Sequence, residues 1–180
     1  MTTSKSVGET IGLQIEAYGS VSITGVQESA RTDGYKEYTL TSKTITIRGD
    51  VTYLSCWAQG LTSLEASGCT FLKELWCKDN QLTSLDVSEN TALTTLYCNG
   101  NPLNSINLSR CQRLKKFSWT GGKLTSLDVS GCTALKTLDC SKNKLTSLNV
   151  TGCTALKELD CHKNQLTSLD LSKNLSLIHI

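Results

Sequence analysis

LTSLEASGCTFLKELWCKDNQ, residues 61–81, is followed without a break by LTSLDVSENTALTTLYCNGNP, residues 82–102, and the two align position for position. The offset of 21 residues continues through Leu103, Leu124, Leu145 and Leu166, each opening a further copy. Self-similarity at such a period means a stack of small units, because each is too short to bury its apolar face alone and must cover it with its neighbours.

Down the copies, one column holds Leu75, Leu96, Phe117, Leu138 and Leu159, and two residues on stand Cys77, Cys98, Trp119, Cys140 and Cys161. Three further come Asn80, Asn101, Gly122, Asn143 and Asn164, giving LxxLxCxxNxL. A fainter register inside each copy repeats the spacing, as Leu82, Leu85, Val87 and Asn90 show beside Leu72, Leu75, Cys77 and Asn80. Alternation in Leu75, Trp76 and Cys77 implies a short strand with one buried face. An Asn at the following bend offers its amide to backbone groups that the turn leaves unpaired. Half a copy has room for a strand and a bend but hardly for a helix of three turns. The expected fold is therefore an all-β-rich solenoid with two parallel β-sheets, one per half-turn.

The motifs LTSLDVSENTAL and LTSLDVSGCTALKTLDCSKNKLTSL, over residues 45–174, resemble the short-repeat leucine-rich-repeat surface proteins of Bacteroides-type bacteria. That resemblance implies surface exposure and recognition of a protein. It also implies that a segment like MTTSKSVGETI follows a signal sequence and a lipid-attachment cysteine, although no signal peptide stands at the N-terminus. The copy at residues 103–123 departs from the pattern with Phe117, Trp119 and Gly122, so an irregular bend is expected there.

Residues 1–44 alternate apolar and polar positions (Ile11, Leu13, Ile15, Val21, Ile23) and read as a small N-terminal β cap over the first coil. Residues 175–180, LSLIHI, are what a transposon end used in sequencing libraries would encode, and are set apart as an adapter translation. The rival is a truncated repeat, because Leu177 and Ile180 fall one period after Leu156 and Leu159. With no polar closing cap, the natural protein is expected to continue.

A net charge of +2 argues against nucleic acid, which needs a concentrated basic surface. No apolar stretch is long enough to span a bilayer, so no membrane insertion is expected within this segment. The nine cysteines form no CxxC pair and sit at coil spacings, which favours buried ladders over zinc or disulfides. With two histidines and no nucleophile or phosphate motif, neither an enzyme nor a cofactor is expected, and His162 is placed on an exposed edge. The outward column Glu65, Asp86, Asn107, Asp128, Asn149 and Asp170 is a solvated stripe, with calcium as its rival and no metal assigned.

Outward positions of the LxxLxC sheet carry Tyr53, Trp57, Trp76 and Tyr97, then Ser118, Asp139, Asp160 and His162. Aromatics grouped on neighbouring strands suit a binding hot spot. Alternatively, the cap folds over them. A protein ligand is the first reading, a glycan stacked on the same rings the second, and an inert spacer the third. Arg110, Arg113, Lys115, Lys116 and Lys123 form a basic patch that either steers an acidic partner or is a solvated edge.

Overall fold

The computed structural model describes residues 1–32 and 35–179; Ile180 and, within the expected cap, Asp33 and Gly34 lie outside the described residues. Thirteen strands follow in order: β1 (Thr2–Thr3), β2 (Thr10–Thr24), β3 (Val26–Thr32), β4 (Tyr35–Leu40), β5 (Thr46–Ser55), β6 (Leu61–Ser63), β7 (Glu74–Trp76), β8 (Thr95–Tyr97), β9 (Lys116–Ser118), β10 (Ser126–Asp128), β11 (Thr137–Asp139), β12 (Ser147–Asn149) and β13 (Glu158–Asp160). Among the described residues there is no helix, and so none long and apolar enough to cross a membrane.

One nine-stranded sheet runs β13-β11-β9-β8-β7-β5-β2-β4-β3. From β5 to β13 the pairing is parallel and shifts by one repeat per strand, as in Leu54 with Leu75, Leu75 with Leu96, and Leu96 with Phe117. The second sheet is shorter. It holds β10 paired with β12 in parallel and an isolated bridge from Glu65 to Asp86, while β6 pairs with β1. Acidic residues on this side cap their own turns: Asp86 accepts the Ser88 amide at 2.9 Å, Asp128 the Ser130 amide at 2.8 Å and Asp170 the Ser172 amide at 2.9 Å. Asp139 and Asp160 cap the turns of the large sheet in the same way, accepting the Ser141 and His162 amides, each at 3.1 Å.

Between the two sheets lie fully buried ladders, including Leu75, Leu96, Phe117, Leu138 and Leu159. Each such leucine contributes about 1.5–3 kcal/mol of burial. Asn80 fixes the bend of its coil, with Nδ2 donating to the carbonyls of Cys56 at 2.9 Å and Cys77 at 3.0 Å while Oδ1 accepts the Leu61 amide at 2.9 Å. Asn101 and Asn164 repeat the arrangement with Leu82 and Leu145, each at 3.0 Å. The bend also needs a left-handed residue, and that position recurs each repeat as Ala58, Asp79, Gly100, Gly121, Lys142 and Lys163, with φ from 52° to 71°.

The cysteines divide into two ladders. In the LxxLxC column Cys56, Cys77, Cys98 and Cys140 are buried and Cys161 is half-buried. In the other half-turn Cys69, Cys111, Cys132 and Cys153 share a column with Asn90 and Asn174. There the Cys111, Cys132 and Cys153 thiols donate to the carbonyls of Val87, Leu108 and Val129. Asn90 and Asn174 donate to Ala66 and Val150, the same carbonyl one coil back. Cysteine thus supplies one of the two donations that asparagine makes in this column, the second going to Cys69 or Cys153. Residues 175–179 follow the coil: Leu177 packs against the core, and the Leu159 amide donates to the His179 carbonyl at 3.1 Å.

Candidate functional site

The aromatic residues stand where the cap meets the first coils. Strand β5 joins the two, pairing antiparallel with β2 through Leu54 and Ile15 and parallel with β7 through Leu54 and Leu75. The cap therefore continues the sheet sideways, and its Tyr35 reaches Ser55, two residues from Tyr53, with 2.9 Å between the hydroxyl oxygens. Trp57 is 51% exposed. Tyr53, Trp76 and Tyr97 form a row, with ring centroids 6.0 Å apart at a tilt of 52° for the first pair and 5.0 Å apart, edge to face, for the second.

Each ring is held in place. The Tyr53 hydroxyl donates to Gln14 Oε1 at 3.3 Å, and burial pushes its pKa up. Trp76 Nε1 donates to Glu74 Oε2 at 3.3 Å, and Lys78 Nζ lies 4.9 Å from the centroid of Tyr97. Trp57 stands one turn beyond its strand, with Nε1 donating to Asp79 Oδ2 at 2.7 Å. Rings fixed before a partner arrives lose little side-chain freedom on binding.

Two further aromatics, absent from the sequence reading, enlarge the surface. Tyr18 on β2 and Phe71 are both about half exposed and meet edge to face at 5.9 Å. Lys73 Nζ donates to the Tyr18 hydroxyl at 2.5 Å, while the ring centroid is 5.1 Å away, so the contact is with the hydroxyl and not with the ring face. A shallow cleft of about 370 Å³, lined by Glu16, Tyr18, Tyr53, Lys73 and Glu74, joins this pair to the row. Phe71 had a signal in the sequence, because its column otherwise holds Ala92, Arg113, Ala134 and Ala155. Tyr18 had only its place in an alternating strand.

The expected basic patch is divided. Arg110 pairs with Glu89. Arg113, Lys115 and Lys116 are exposed at the start of β9, whereas Lys123 lies past the bend that follows that strand. His162 is exposed, with Nδ1 2.6 Å from Asp160 Oδ1.

The acidic column is occupied by its own turns. Hydrogen bonds from the side chain and amide of Ser67 hold Glu65 below its ordinary pKa, and Asp86, Asp128 and Asp170 are lowered by Ser88, Ser130 and Ser172. Burial pushes the thiols upward, Cys56, Cys132 and Cys140 to about 12 and Cys111 and Cys153 to about 11. At neutral pH these thiols are protonated and poor nucleophiles.

The family model described as Leucine Rich repeats (2 copies) matches residues 70–119 and 133–174. Among solved structures, the functional domain of InlJ from Listeria monocytogenes, described as including a cysteine ladder, is similar at 30% identity and a TM-score of 0.52. The match covers 72% of this chain and 39% of that one, so the chain spans well under half of that domain. An internalin C2 from Listeria monocytogenes matches at 19% identity and a TM-score of 0.39, over 72% of this chain and 80% of that one. No curated protein matches. With the repeat model covering just over half of its length, the chain belongs to the leucine-rich-repeat family.

Proposed function

We propose that this chain is a protein-binding module displayed on a bacterial surface, and that its ligand sits on Tyr53, Trp57, Trp76 and Tyr97. The observation that carries the reading is the row of pinned, partly exposed aromatics on adjacent strands. Rigid aromatic anchors of this kind supply most of the energy at protein interfaces. The surface location is supported by the short-repeat resemblance and by the likeness to the InlJ functional domain.

A protein ligand is favoured over a glycan because Trp76 is packed edge to face against Tyr97, so those rings are partly covered for a stacked sugar. Screening the chain against displayed ectodomains and a glycan array tests both. The expected result is a protein binder lost with Trp57→Ala and Trp76→Ala but kept with Thr146→Ala on the far sheet. Glycan binding lost with the same variants would replace the protein reading. Binders indifferent to all of these substitutions would remove the aromatic site.

A further inference from the structure

Along one flank of the large sheet the repeat stacks Lys115, Lys136 and Lys157 on successive coils. The Lys136 amide donates to the Lys115 carbonyl at 2.9 Å, and the Lys157 amide to the Lys136 carbonyl at 2.9 Å. With parallel strands about 4.8 Å apart, the outer two lysines stand about 10 Å apart. All three are exposed, as are Arg113 and Lys116 beside them. Like charges stacked at this spacing repel. None of the three is in an ion pair, since the ion pairs among the described residues are Lys36 with Glu28, Arg110 with Glu89 and His162 with Asp160, and the nearby Glu158 carboxylate accepts from Thr137 at 3.3 Å. Charge is also segregated along the chain: residues 103–144 hold eight basic and two acidic side chains, whereas residues 51–102 hold two basic and five acidic.

We propose that the Lys115, Lys136 and Lys157 ladder, with Arg113 and Lys116 at its side, is a second binding surface that takes an acidic polypeptide segment. Its length selects a peptide over a uniformly charged polymer. About 10 Å of ladder accommodates two carboxylates on one side of an extended chain, whose same-side residues repeat at about 6.7 Å. A long polyanion lying along the coil axis would next pass Thr94, which carries no charge, and then Lys73 with Glu74 beside it, whose charges offset one another. The ladder occupies other coils than the aromatic row and does not depend on it.

Fluorescence anisotropy with a labelled ten-residue oligoglutamate at low salt tests the proposal. Two triple variants are compared, Lys115→Gln with Lys136→Gln and Lys157→Gln, and Lys142→Gln with Lys144→Gln and Lys163→Gln beyond the other end of the strands. The two remove the same net charge. The ladder triple is expected to weaken binding about tenfold or more and the other about threefold or less, with the wild-type affinity falling as salt rises. The single reversal Lys136→Glu is expected to act in the same direction as the ladder triple. Equal weakening by both triples, or tighter binding of polyphosphate of equal charge than of oligoglutamate, would overturn the assignment.

Discussion

Trp119 Nε1 lies 2.8 Å from the point where a Cβ on Gly122 would stand. Trp119 is fully buried in a column otherwise filled by cysteine, and Gly122 sits in the asparagine column. The indole thus occupies the space that the missing asparagine side chain leaves. One large residue is compensated by one small one, as close packing requires. The departure at residues 103–123 is a matched pair of substitutions.

Gly122→Ala is therefore expected to destabilise the fold by about 1–3 kcal/mol, because the added methyl meets both Trp119 Nε1 and, at 2.7 Å, Asn143 Oδ1. Combining Trp119→Cys with Gly122→Asn restores the repeat pattern. A double-mutant cycle in urea should show a favourable coupling of about 1 kcal/mol or more. Simple additivity would mean that the two positions are independent.

Lys142 and Lys163 hold left-handed backbone, with φ of 56° and 54°. A side chain costs about 1 kcal/mol in this conformation. Against the extra entropy glycine loses on folding, each Lys→Gly change should still raise stability by about 0.5 kcal/mol, read as a higher urea midpoint. A lower midpoint for both would contradict the strain.

Asn90→Cys should be tolerated, since Cys111 makes the equivalent bond one coil on. Asn90→Leu leaves the carbonyls of Ala66 and Cys69 without their donor and should cost about 1–3 kcal/mol. Thermal unfolding of the two variants separates these outcomes.

The buried thiols make stability fall at high pH. Their folded pKa values, about 11 to 12 for Cys56, Cys111, Cys132, Cys140 and Cys153, lie above the ordinary 9.0. Stability from this source is complete below pH 9 and is lost as pH rises toward the folded values. Each thiol contributes a slope of about 1.4 kcal/mol per pH unit in that window. A urea midpoint flat from pH 8 to 11 would contradict the buried ladders. In native protein at pH 8, a thiol reagent should react quickly only with the half-buried Cys69 and Cys161.

The repeat, its buried columns and the role of Asn80 were legible because a period of 21 residues copies each constraint down the chain. The left-handed column was not, because Ala58, Asp79, Gly100 and Lys142 share no chemistry beyond the backbone shape they adopt. The carboxylates of Asp86 and Asp128 showed as a stripe, but composition alone does not reveal that each caps its own turn. Tyr53, Trp76 and Tyr97 could be grouped from their strands, whereas the Tyr18 and Phe71 contact joins positions from cap and coil that no local pattern connects.

The binding role of the aromatic row is tested most directly by site-specific photo-crosslinking. A benzophenone side chain placed at Trp57, or at Ser126 on the far sheet, would be irradiated with the ectodomain that the screen selects. A covalent adduct is expected from position 57 that vanishes when Trp76→Ala is added, and none from position 126. An adduct of equal yield from both positions, or one from position 126 alone, would contradict that role.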